Sequence, residues 1–202
     1  MKLYYAPGAC SLSPHIALIE SGLPFDTERV DLRAQPHTTE SGNDYATINP
    51  KGYVPALALD NGEVLTEAAV VVQYVADRAP EKHLAPPAGT IERYRLQEWL
   101  NFISAEIHKG FGPFWSPATP QEQKDAAWAR LSQRFAWVEQ QLAGKDYLMG
   151  PFSVADGYLF TILNWTGYHK LSLDPWPGLK AYMARVAARP AVVQALKDEG
   201  LA

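Results

Sequence analysis

Every strand signal in this chain lies before Pro80 and every segment after it reads as helix, so the fold must join a mixed α/β unit to an all-helical one. The first strand signal is KLYYA, Lys2–Ala6, which mixes aromatic and aliphatic residues at strand length and ends at Pro7-Gly8. A helix follows. Ser11 and Ser13 are candidate N-caps, Pro14 suits the first turn, Ile16, Leu18 and Ile19 form the apolar stripe, and Gly22 and Pro24 supply a stop. TERVDL, Thr27–Leu32, then predicts a second strand, which completes a parallel βαβ unit. Residues 33–50 are polar and predict a long connection with a short helix near Asn43–Thr47. In ALALDNGEVLTE, Asn61-Gly62 between two apolar runs predicts a tight hairpin turn, and EAAVVVQYVADRAP predicts a largely buried helix closed by Pro80.

The Pro-rich KHLAPPAG, Lys82–Gly89, is the best boundary in the sequence. The expected organisation is a first domain over 1–80, a linker over 81–89 and a helical domain over 90–202. In that second domain Leu96, Trp99, Leu100, Ile103 and Ile107 recur at helical spacing. Thr119-Pro120-Gln121-Glu122 reads as a capping box with Pro in the first position, and Ser153 and Asp156 have capping-box spacing before another buried helix.

Charge and cysteine usage remove several function classes. The formal charge is −4, with 5 basic and 10 acidic residues up to Pro80 and 13 and 12 beyond it, which is no nucleic-acid footprint. An anionic ligand would need local positive charge or backbone N–H groups. The one cysteine excludes an intrachain disulfide and a CxxC motif, and the five histidines lack H-x-x-x-H spacing, so no metal site is expected. Pro7-Gly8 breaks any signal-peptide core and no apolar run reaches membrane-spanning length, so a soluble protein of a reducing compartment, without membrane partners, is expected.

That one thiol, Cys10, carries the functional question. A free cysteine is most often a small buried hydrophobe. This one lies between a strand and a helix N-terminus, where exposed N–H groups favour an anion, so its pKa is expected below the free value. Thioredoxin-like folds also place a thiol here, but Ser13 stands where their second cysteine would be, so a dithiol cycle within the chain is excluded. Val54-Pro55 falls where such folds hold a cis-proline, with the isomer left open by the sequence. Thr66-Glu67-Ala68 starts the helix after the hairpin, where a carboxylate would find N–H donors and Glu67 would either pair with an amine or complement the helix dipole. Asn101, Ala105 and His108, at i, i+4 and i+7, would share one helical face.

Taken together, YYAPGACSLSPHIALIESG, NPKGYVPALALDNGEVLTE, EWLNFISAEIHKGF and FSVADGYLF resemble the cytosolic glutathione transferases of the bacterial beta class over nearly the whole chain. The resemblance implies a thioredoxin-like N-terminal domain followed by an all-helical C-terminal domain, a cytoplasmic homodimer, and glutathione bound in the cleft between the domains as co-substrate. It places Cys10 near the glutathione sulfur with Ser11 as a neighbouring hydroxyl. It pairs the Val54 backbone, flanked by Tyr53 and Pro55, with the cysteinyl part, and Glu67 with the γ-glutamyl amine. Ala68 stands where the family often has serine, which leaves only its N–H for the γ-glutamyl carboxylate. The lysine often found near Gln35 and His37 for the glycyl carboxylate is absent. Tyr5 is taken as structural. His108 becomes a site residue with Asn101, Lys109 becomes an anion contact, and Glu106 would reach the glutathione of the partner subunit.

The implied function is detoxifying conjugation of glutathione to hydrophobic electrophiles, with thiol–disulfide exchange through Cys10 beside it. Phe111, Phe114, Trp115 and Trp165 or Tyr168 would line the apolar half of the cleft, with core packing the favoured role for Trp165. A glutathione-dependent isomerase or dehalogenase, and a non-catalytic carrier of hydrophobic ligands, stay open as alternatives.

Overall fold

A computed structural model describes residues 1–202. Strands β1 (Lys2–Tyr5), β2 (Asp26–Asp31), β3 (Thr38–Thr39), β4 (Ala56–Ala58) and β5 (Val64–Thr66) form one five-stranded sheet in the order β3-β2-β1-β4-β5. β1 pairs parallel with β2, across helix α1 (Leu12–Ser21), and the other pairings are antiparallel. Gly22 ends α1 at φ 68, and its N–H bonds Ile19 O. β4 and β5 form the hairpin expected at Asn61-Gly62, with Gly62 at φ 88. Helix α2 (Ala68–Arg78) closes this part. The expected short helix is a 3-10 turn at Tyr45–Thr47, capped by the Asp44 side chain accepting from Ala46 N–H.

The rest is helical: α3 (Ile91–Phe102), α4 (Gln121–Gln141), α5 (Val154–Tyr168), α6 (Pro177–Ala187) and α7 (Pro190–Asp198). α5 is the axis, with twelve of its residues buried. Ser153 and Asp156 make the expected capping box, and Asp156 also accepts from Leu148 N–H and the Tyr182 hydroxyl. The box expected at Thr119–Glu122 does not form. Pro120 takes the N-cap position without a side-chain bond, because it sets the entry to α4 itself.

α1 and α2 pack on α5, and α1 also packs on α7. One core cluster of 36 buried residues therefore runs from Leu3 and Ile16 through α5 to Val192, so the two parts are joined by apolar packing. Glu20 and Arg189 add a two-pronged ion pair across the same junction, at 2.6 and 3.0 Å.

α3 does not continue to Gly110 as a regular helix. Ile103–His108 is π-helical and Lys109–Phe114 is 3-10. A π turn holds more residues than an α turn, so it rephases everything after Phe102.

Candidate active site

The strand β1 delivers the chain to a turn built around Ala6 and Gly8. Ser11 is fully buried, its hydroxyl accepting from Ala6 N–H at 3.1 Å and donating to Ala6 O at 3.2 Å. It makes no side-chain cap for α1, contrary to the sequence expectation, because its backbone is already helical at φ −63 and ψ −16 and its hydroxyl is turned to Ala6, just past β1. Gly8 is held from the helical part on both its polar atoms. Its N–H donates to Glu199 Oε2 at 2.9 Å, and its carbonyl accepts from Trp165 Nε1 at 2.8 Å.

Cys10 follows this clamped turn and lines a cleft between the sheet part and the α3 extension. Its Sγ donates to Val54 O at 3.1 Å. Burial pushes the thiol up to about 12, although the N–H groups of Cys10 and Ser11 and the Lys109 ammonium act in the opposite direction. The expectation of a lowered Cys10 pKa is thus corrected: near neutral pH this is a protonated hydrogen-bond donor. Helix-end donors are present, but desolvation outweighs them.

Val54 lies just ahead of β4 and is followed by a cis peptide bond to Pro55. Its loop is braced from behind. Tyr45 Oη donates to Tyr53 O at 2.9 Å, Asn49 Nδ2 donates to the same oxygen at 2.6 Å, and His37 Nδ1 pairs with Gly52 O at 3.1 Å. His37 is therefore a support for the loop, outside the cleft lining, and the exposed Gln35 does not line it either. Tyr53 is exposed at the cleft edge.

Glu67 precedes α2 at φ 69, a strained conformation for a residue with a Cβ. That turn brings Glu67, Ala68 and the start of α2 to the cleft. Lys51 Nζ reaches across to Glu67 Oε1 at 2.9 Å and Thr66 Oγ1 at 3.0 Å. The sequence reading looked for a cation near Gln35 and missed Lys51, which the loop ending at Pro55 carries into the same cleft.

The far wall comes from the π segment and α5: Ser104, His108, Lys109 and Tyr158. His108 Nδ1 lies 2.8 Å from the Tyr158 hydroxyl. Burial, then the Lys109 charge, lowers the His108 pKa to about 4, with Glu67 opposing, so the ring is neutral near pH 7. Ser104 and Tyr158 were not anticipated. Ser104 stands four residues before His108, a spacing that a regular helix would also bring to one side, so the sequence did hold a signal for it; nothing in the sequence distinguishes Tyr158 from a core residue of α5. Asn101, expected on the same face, is exposed and is not among the residues lining this cleft. Glu106 is also outside it, paired with Arg134 at 2.8 Å. Tyr5 packs on His15 with ring centroids 5.8 Å apart, away from the cleft lining.

Beyond His108 an aromatic path leads outward. Trp165 sits 5.0 Å from His108, Trp115 lies 5.0 Å from Trp165, and Tyr168 lies 5.6 Å from Trp115, all between ring centroids. Trp115 is 47% exposed and Tyr168 71%, whereas Phe111 is fully buried and belongs to the core. No helix is long and apolar enough to cross a membrane.

Residues 8–78 match the family described as glutathione S-transferase, N-terminal domain, and residues 102–190 match glutathione S-transferase, C-terminal domain. The chain is 46% identical over 202 residues to the glutathione S-transferase GstA of Escherichia coli O157:H7, covering all of both chains. Among solved structures, it is similar to a sphingomonad glutathione S-transferase complexed with glutathione, at 48% identity and a TM-score of 0.95 over the whole of both chains. It is equally similar in shape to the bacterial beta-class glutathione S-transferase of Sphingomonas chungbukensis, at 45% identity and a TM-score of 0.95, again with full coverage of both.

Proposed function

The chain belongs to the glutathione S-transferase family, and from that premise we propose that it conjugates glutathione to hydrophobic electrophiles in the cleft at Cys10, as a transferase of the beta-class type. The observation that carries this reading is the convergence of five groups on one cleft: the Cys10 thiol on the Val54 carbonyl, the start of α2, and the uncharged His108 beside Lys109. Glutathione has a part for each. Its γ-glutamyl carboxylate would take the N–H donors at Ala68, and its amine would take Glu67. The Val54 backbone would pair with the cysteinyl unit. Lys51, released from Glu67 by the incoming amine, would be free for a carboxylate.

The glutathione sulfur would then lie against Cys10, His108 and Lys109. The Cys10 S–H can turn from Val54 O to the sulfur anion, and Lys109 supplies positive charge. Both interactions favour the thiolate over the thiol, so the thiol proton leaves to water. The anion attacks the electrophilic carbon; a C–S bond forms and the leaving group departs with its electron pair. Ser11 contributes through Ala6, as a support for the turn. Trp115 and Tyr168 would bind the electrophile's flat apolar part. A Cys10 thiol held protonated on Val54 O favours conjugation over thiol–disulfide exchange, which needs a thiolate.

A cytoplasmic location accords with the free thiol. A homodimer is the arrangement in which Glu106, held outside its own cleft by Arg134, could meet glutathione, and the exposed Val70, Ile91 and Tyr94 offer apolar surface for it. Calorimetric titration with glutathione and turnover of a chloronitrobenzene test the proposal together. Saturable binding with turnover is expected, and the absence of glutathione binding would overturn it. Binding of an apolar dye with no turnover would favour the carrier.

A further inference from the structure

We propose that Tyr158 is a positioning residue for the conjugation: its hydroxyl holds His108 in the Nε2–H tautomer, so that the ring donates a hydrogen bond to the glutathione sulfur. The proposal rests on the reading above, that this sulfur lies beside His108. Tyr158 is 1% exposed, and a phenol buried to that degree needs an acceptor for its proton. The acceptor at hand is His108 Nδ1, at 2.8 Å. His108 Nδ1 is the one hydrogen-bond partner of the phenol oxygen, so the phenol proton goes to it. Burial keeps the phenol protonated far above neutral pH.

A neutral imidazole has one N–H. With Nδ1 accepting, that proton sits on Nε2. Nε2 has no protein partner, is not enclosed by the core, and belongs to a ring that lines the cleft. The ring itself cannot swing freely. Tyr158 meets it edge-on at 6.0 Å and 89°, and Trp165 at 5.0 Å and 72°. The ionisable groups around it are its neighbour Lys109, Glu67 at the start of α2, Cys10 ahead of α1, and Tyr158 itself. His108 is thus a fixed N–H donor toward a developing sulfur anion, in the manner of a preorganised oxyanion site. It is not the base that removes the proton.

Two measurements decide this. The first is the pKa of the bound glutathione thiol, read from thiolate absorbance against pH, in the wild type, Tyr158→Phe and His108→Ala. Loss of a hydrogen bond to a charged atom should raise that pKa by about 1 to 2. We expect the rise in both variants, a fall in kcat with little change in KM for glutathione, and no further rise in the double variant. A wild-type thiol pKa in folded Tyr158→Phe, with a raised one in His108→Ala, would overturn the Tyr158 assignment and leave the conjugation reading intact. An unchanged pKa in both would remove His108 from the sulfur altogether. The second measurement needs no variant: the 15N shifts of His108 in the glutathione-bound wild type should show protonated Nε2 and bare Nδ1. The opposite tautomer would overturn the proposal even if Tyr158→Phe failed to fold.

Discussion

At Cys10 two opposing effects act on the same atom. The backbone donors at the start of α1 and the charge of Lys109 favour an anion, and removal from water disfavours it. Desolvation wins, and the thiol donates to Val54 O instead of attacking. Two outcomes follow for the ligand-free protein. Alkylation by iodoacetamide should be slow near neutral pH and show no inflection below the free-cysteine value of about 8.5. Stability should also respond to base. The folded thiol keeps its proton up to about 12, whereas the unfolded thiol loses it from about 8.5 upward, so the unfolded state binds fewer protons in that window. The unfolding free energy therefore falls as pH rises through it, and urea titrations of Cys10→Ser should lack that part of the slope. An alkylation midpoint below 8 would contradict the whole assignment. Lys51 offers a separate test at the same scale. Its bridge to Glu67 is exposed and contributes little to stability, so Lys51→Met should leave the melting temperature nearly unchanged. Its glutathione KM should rise about tenfold if a charged contact of about 1.5 kcal/mol to a carboxylate is lost.

Between residues and the finished cleft stands the irregular end of α3. A regular helix would put Asn101, Ser104 and His108 on one face; with the π turn at Ile103–His108, Ser104 and His108 line the cleft while Asn101 is exposed. This is where sequence reasoning reached its limit. The elements up to Pro80 other than β3, the hairpin at Asn61-Gly62, the box at Ser153–Asp156 and the placing of Cys10, Val54, Glu67, His108 and Lys109 on one cleft were legible, because each rests on a local pattern or on the resemblance; the two-residue β3 lies in the polar connection and has no strand pattern. A π turn has no residue signature; it arises from how α3 packs on its neighbours. Lys51 and Tyr158 were hidden for a related reason, since only tertiary folding carries them to the cleft. The 3-10 segment after the π turn is fixed by close approach to α4. A Cβ on Gly110 would come within 2.7 Å of Leu131 Cδ2 in the core. Gly110→Ala should therefore cost about 1–2 kcal/mol by overpacking, with partial relief when Leu131→Ala is added, a non-additivity that denaturant midpoints would show.

Across the whole molecule, the cleft depends on the chain's two ends meeting. Glu199, just past α7, has a buried side chain that accepts from Gly8 N–H at 2.9 Å and pairs with His15 Nδ1 at 3.0 Å. Leu201 packs over Gly8, and Trp165 takes the Gly8 carbonyl. The turn that presents Cys10 is therefore held by residues more than 150 positions away in sequence. Glu199→Ala would leave the Gly8 N–H and the His15 ring, both inside the interface, without their acceptor. Each orphaned buried group costs about 1–3 kcal/mol, so a loss of about 3 kcal/mol in unfolding free energy is expected. The shared core predicts how that loss appears. Because α1, α5 and α7 bury one continuous apolar cluster, both halves should still unfold in a single transition, at a lower urea midpoint and with an unchanged slope. Glutathione affinity should weaken in the same variant even under conditions where it is fully folded, because the Cys10 turn loses one of its two fixed points. Near-ultraviolet circular dichroism, which reports the packing of the aromatic side chains, alongside the far-ultraviolet signal would check the first expectation, and calorimetric titration with glutathione the second. Two separated transitions, one for each half, would show instead that the interface is a docking contact and that the cleft is assembled from independently stable parts.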